Sequence, residues 1–198
     1  SNDPIGISGG LNQYEAFNNN PVNFVDPSGL LVDMVFSLSQ GTVTVTDRDN
    51  TAASATANAF SGNEHANDIN YANAAGKDSG PLPVGTYDIL NHPSGFVKGK
   101  RWYDLDMADG IRDDYDPITK RGKFRLHEGT ASDGCVTVMD DRSEKDYHGN
   151  PNANRVPGSP NSKNWDKINA ILQGTKTSTL RDSQGRDRTF YGTFQVVP

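Results

Sequence analysis

Acidity in this chain is carried by aspartate: of 25 acidic residues 21 are Asp and 4 are Glu, and 19 Asn accompany them. Asp and Asn side chains bond to nearby backbone in turns and caps, whereas Glu favours helix interiors. The bias therefore selects strands joined by turns and excludes a helical bundle. With 20 Gly, 11 Pro and 33% hydrophobic residues, the core is modest and the loops are long. A length of 198 residues fits one domain, or one domain with an appendage.

A net charge of −6 without a run of Lys or Arg offers no electrostatic footprint for nucleic acid or an anionic membrane. No apolar run approaches the roughly 20 residues of a membrane span, and no charged-then-apolar leader opens the sequence, so export is expected by a route other than a standard signal peptide. The single cysteine, Cys135, forbids an internal disulfide, and with 4 His a Cys-rich zinc site is excluded. A lone cysteine is either an inert small hydrophobe or a reactive thiol.

The order of elements reads as mainly β. Leu31 to Leu38 is apolar, Thr42 to Thr46 alternates at period two, and Gln40-Gly41 between them suits a hairpin turn. Residues 47–80, rich in Asn, Ala, Gly and Ser, read as a long loop. Further strands are expected at 85–90, 124–127 and 135–139, and at 190–197 paired with the segment ending at Thr179-Leu180. One helix is expected over 162–173, capped by Ser162 or Asn164, with Trp165, Ile168, Ile171 and Leu172 on one face and Gly174 beyond its end.

Chemistry concentrates between Phe124 and Val138. His127 ends one strand and Cys135 begins the next, and antiparallel pairing of the two would bring imidazole and thiol together. A Cys/His nucleophile needs that proximity, because an imidazole takes or stabilises the thiol proton. Gly134 lets the backbone approach a substrate carbonyl closely. The competing reading is an accidental hairpin with a buried thiol. The acidic stretch Asp104 to Gly110 departs from a calcium loop at Ala108, Asp109 and Tyr115, so no metal is assigned. His65, His92 and His148 read as surface residues, and Trp102 and Trp165 as core anchors.

The order His127…Ser132-Asp133-Gly134-Cys135, preceded by Phe60-Ser61-Gly62 with Asn63 and Asn67, by Gly80 to Tyr87 and by Arg121 to His127, resembles the L,D-transpeptidase (YkuD-type) superfamily, and within it the branch of type VI secretion effectors that act on peptidoglycan. The match covers roughly residues 31–140. It departs at Asp133, where many members carry a second His, and at Val136, Thr137 and Val138, where an Asn or Arg is common.

The resemblance implies a YkuD-like β-sandwich without cofactor. Its catalytic group would be Cys135, His127, Ser132, Gly134 and Asp133, with Arg121, Arg125, Ser61 and Tyr87 on the substrate side. Cys135, its pKa lowered by His127, would attack the third residue of a peptidoglycan tetrapeptide stem, release D-Ala and leave a thioester for water or a D-amino acid. His127 would be oriented by a backbone carbonyl or by Asp133. Two rivals stand beside this: a papain-like peptidoglycan peptidase or amidase, and a non-catalytic β-sandwich binding module.

Residues 1–30 carry a second resemblance. Asp3-Pro4-Ile5-Gly6, Gly9-Gly10-Leu11-Asn12 and Asp26-Pro27-Ser28-Gly29-Leu30 are similar to the end of the Rhs-repeat core, which is cut by an aspartyl protease. Asp3 and Asp26 would form that pair, with cleavage after Leu30. Residues 31–198 would then be the toxin cargo, with the Rhs shell and a cognate immunity protein as partners, secreted by a type VI system and active in the periplasm of target bacteria.

Overall fold

In the computed structural model the described residues are 31–63, 65–72, 80–97, 100–129, 132–139 and 163–198. The chain opens with β1 (Val32–Ser37) and β2 (Thr42–Asp47), antiparallel across a turn in which Gly41 takes φ +62°. Val32, Met34 and Phe36 face inward, as do Val43 and Val45. Outward threonines bond across to the next strand, Thr44 to Thr56 at 2.9 Å and Thr46 to Ser54 at 3.1 Å.

That next strand, β3 (Ser54–Ser61), corrects the expectation of a loop over 47–80. Alanine has weak strand preference, so Ser54-Ala55-Thr56-Ala57-Asn58-Ala59 carries little local signal. Its partners β2 and, later, β9 define it. A short helix, α1 (Ile69–Ala72), follows.

The strands β4 (Gly85–Val97) and β5 (Lys100–Met107) form a long hairpin. Next come the two-residue strands β6 (Tyr115–Asp116) and β7 (Arg121–Gly122), then β8 (Phe124–Glu128) and β9 (Val136–Val138). Here the structure departs again from expectation, for β8 and β9 run parallel, with His127 opposite Thr137.

Helix α2 (Lys163–Gly174) buries Trp165, Ile168 and Leu172 on one stripe, and the expected helix is present; Ser162 lies outside the described residues and Asn164 within the helix. It packs on β2 and β3, where the small Ala57 and Ala59 make room, and its three buried side chains contribute roughly 1.5–3 kcal/mol each. Tyr103 meets it edge-on through Trp165 and donates to Asn169 Oδ1 at 2.6 Å. The chain ends in the expected hairpin of β10 (Ser178–Arg181) and β11 (Asp187–Val197).

The mainly β architecture is thus as expected. Among the described residues, nine strands form one sheet in the order β1-β2-β3-β9-β8-β5-β4-β11-β10, β6 and β7 form a separate two-stranded sheet, and a parallel β1–β11 pairing closes the larger one. β10 and β1 occupy one edge of β11 in succession, over 187–190 and 192–197. The hand-over point is Gly192, at φ +144°, where a Cβ would lie 2.0 Å from the Val32 carbonyl oxygen.

Across β4, β5, β8 and β9, Tyr87, Ile89, Tyr103, Leu105, Phe124, Leu126, Val136 and Val138 enter the core. The opposite face holds Leu90, part of a small second apolar cluster with Leu31 and Phe190, and otherwise a set of polar and aromatic side chains laid out by strand register. Asp104 lies opposite Leu90 on one side and Arg125 on the other, and His127 lies opposite Thr137. Continuing each register by one residue places Trp102 beside His127 and Cys135 beside Arg125.

Candidate functional site

The site occupies that polar face where β8 and β9 run side by side. Cys135 immediately precedes β9 and shares a face with Thr137, while Arg125 and His127 share the corresponding face of β8. Imidazole and thiol are therefore diagonal neighbours on adjacent strands. Cys135 opens a strand and not a helix.

His127 is buried, and its Nδ1 lies 2.9 Å from the Glu128 carbonyl oxygen. A carbonyl only accepts, so Nδ1 carries the hydrogen and Nε2 is left with its lone pair. Nε2 faces Thr137 Oγ1 at 3.5 Å. Asp133, the other expected orienter, is exposed and bonded by Asn63 Nδ2 at 3.4 Å; the carbonyl fills that role instead.

The turn before Cys135 is braced from beneath. Ser132 Oγ donates to the Cys135 carbonyl at 2.5 Å and accepts from the Gly62 N–H at 3.3 Å. Gly134 adopts φ +110°, and its carbonyl accepts from Ser61 Oγ at 3.2 Å. No cis peptide is present among the described residues, so the Cys135 N–H points the opposite way, out of the brace.

Burial pushes the Cys135 thiol up to about 11, against the pull of the Arg125 backbone N–H and guanidinium. The groups that pull the thiol down are Arg125's, and His127 is not among them.

Four residues expected on the substrate side are otherwise engaged. Ser61 is fully buried, holding Gly134 and accepting the Leu82 N–H at 2.7 Å. Tyr87 is a core residue whose hydroxyl donates to the Pro83 carbonyl at 2.8 Å. Arg121, 4% exposed, donates to the carbonyls of Ala72, Gly80 and Pro81, fastening two loops behind Gly134. Arg125 grips Asp114 through two bonds of 2.7 and 2.6 Å and Asp104 through Nε at 2.8 Å. Its fork is filled from within the protein, so it is not open to a substrate carboxylate.

The network continues inward: Arg188 of β11 reaches Asp104 at 2.6 Å. Asp114 is delivered by a backbone at φ +64°, with its N–H on Asp106 Oδ1 at 2.8 Å. Among the described residues no group of three or more His, Cys, Asp or Glu is arranged to hold a metal ion.

Sequence reasoning passed over two contributors. One is Thr137, whose position across from His127 depends on parallel pairing. The other is Trp102, expected in the core, which instead stacks on His127 at 4.2 Å between ring centroids and 12° between planes. Alternation with the buried Tyr103 was the available signal.

Fold and site together define a mainly β protein that presents a cysteine and a histidine on one face of its sheet, the thiol entering directly after a positive-φ glycine. Residues 55–158, more than half of the chain, match the Tlde1 domain, and the chain belongs to that family, a type VI effector family of L,D-transpeptidase-like proteins. It is also similar in structure to L,D-transpeptidase 1 of Mycobacterium tuberculosis, at 14% identity and TM-score 0.33 over 85% of this chain. The chain spans 63% of the length of that protein. No curated protein matches the sequence.

Proposed function

We propose that residues 31–198 are a toxin domain that removes or exchanges the terminal D-Ala of peptidoglycan tetrapeptide stems through a Cys135 thioester. The family supports a peptidoglycan-acting effector. The observation that carries the finer reading is the carbonyl-held His127, with a basic Nε2 on the face that Cys135 shares.

Burial disfavours the Cys135 thiolate. Attack draws the proton to Nε2 as the C–S bond forms, with His127 as general base. The oxyanion meets the outward Cys135 N–H, worth roughly 3 kcal/mol if well placed. The imidazolium then returns its proton to the departing D-Ala amine. Water resolves the thioester in the carboxypeptidase reaction, and a D-amino acid amine resolves it in exchange. Ser132, Ser61 and Arg121 hold the turn in shape.

Asp3, Asp26 and Leu30 lie outside the described residues. We retain the reading of residues 1–30 as the end of an Rhs core, with type VI delivery, action in the target periplasm and a cognate immunity protein.

The test is mass spectrometry of disaccharide-tetrapeptides incubated with the protein, with and without D-Met. Loss or exchange of D-Ala is expected, abolished in Cys135→Ala and reduced roughly 10²–10⁴-fold in His127→Ala. Unchanged tetrapeptides with folded wild-type protein would sink the reading and leave a binding module with a buried thiol.

A further inference from the structure

A histidine ring is free to turn about its terminal torsion, whose profile is broad. The contacts of His127 Nδ1 with the Glu128 carbonyl at 2.9 Å and of Nε2 with Thr137 Oγ1 at 3.5 Å act on the edges of the ring, and stacking acts on its face. One face of the ring is covered by the half-buried indole of Trp102, nearly parallel at 4.2 Å. The backbone of Gly129 is also near, a Cβ there lying 3.6 Å from His127 Nδ1. Trp102 is itself seated by register, one residue from Tyr103 opposite Leu126, and His92 meets its ring edge-on at 6.2 Å.

We infer that Trp102 is the positioning residue of the catalytic base: its indole fixes the plane in which His127 presents Nε2 to Cys135, and its π face stabilises the imidazolium formed when the thiol proton arrives. The cation appears only after proton transfer, so the attraction of an aromatic face for a cation is greater in the transition state than in the resting enzyme. This rests on the proposed role of His127 and adds to it a residue that acts through the base.

Trp102→Leu should lower kcat roughly 10- to 100-fold on disaccharide-tetrapeptide, leave KM unchanged, and release a second His127 tautomer in the ¹⁵N NMR spectrum. Trp102→Phe, which keeps a stacking ring, should restore most of the turnover and the single tautomer. Trp102→Met, similar in reach without a ring, replaces the leucine variant if that one does not fold. Turnover of the ringless variant equal to wild type, or a loss confined to KM as for a substrate platform, would overturn the inference. So would an unaltered His127 tautomer ratio, a readout that needs no substrate and decides the role of Trp102 even if tetrapeptides are not turned over.

Discussion

Gly134 is the residue on which the site turns. A side chain at φ +110° is strained, and a Cβ there would sit 2.8 Å from Arg121 Nη2 and 3.3 Å from the Gly80 carbonyl. Gly134→Ala should destabilise the fold by about 1–3 kcal/mol and dislodge Cys135, visible as a lower urea midpoint together with lost turnover. Asp106 makes a different prediction. Burial pushes its carboxyl up to about 7 from 3.8, with Asp114, Asp88 and Asp113 adding to the rise. The native state then holds this proton more tightly than the unfolded chain does. Its contribution is fully present below pH 4 and is lost as pH climbs toward 7. Asp106→Asn should therefore gain stability relative to wild type across that window, level off above it, and show the gain in urea midpoints at pH 5 and pH 8. The proximity of Cys135 and His127 on adjacent strands was legible at this scale from residue type and order. The internal bonds of Ser61, Tyr87, Arg121 and Arg125 were not, because the same polar groups serve a substrate or a neighbouring carbonyl equally well. Only the direction of each side chain separates the two roles.

At the scale of elements, what the sequence declared depended on whether a segment carried its own signal. The β-branched alternation of β2 and the apolar stripe of α2 are local, and both were found. β3 hides in alanines because its inward side chains must be small where α2 lies across them. Ala59→Leu should overpack that contact and lower the urea midpoint by the equivalent of about 1–3 kcal/mol, with the tautomer of His127 unchanged. The parallel course of β8 and β9 had no such marker. A short connection suggests a hairpin, since parallel neighbours usually need a longer crossover. Here the link is seven residues, 129–135, with Gly129 and Gly134 within it and Ser132 tying its return to Gly62. The reward of this unusual link is the register that sets Thr137 directly across from His127.

At the scale of the whole molecule, closure is the controlling event. Val32 pairs with Gly192 and Ser37 with Val197, contacts between the two ends of the described chain that no local pattern announces. Loop-closure entropy must be met before such contacts form, which makes this seam a late and slow step in folding. Gly192→Ala places a Cβ 2.0 Å from the Val32 carbonyl at a backbone angle that resists it. The expected outcome is loss of the β1–β11 pairing, measured as faster hydrogen exchange at Met34 and Phe36, which lie within that pairing and are buried. Because Arg188 of β11 also holds Asp104, and Asp104 holds Arg125 beside the thiol, the same variant should lose turnover although Gly192 lies on the opposite side of the sheet order from β9.

The seam has a mechanical side as well. β1 and β11 run parallel, so the backbone joins this row of bonds at Val32 and leaves it at Val197, from opposite ends. A pull on those two points loads every paired position in shear at once, and nothing peels. β10, paired only along β11 among the described residues, is the strand that a pull detaches bond by bond. A machine that had to thread this domain through a narrow pore would meet its greatest resistance along β1 and its least along β10, so the direction of pulling, more than the depth of the energy well, sets how readily the domain is drawn out.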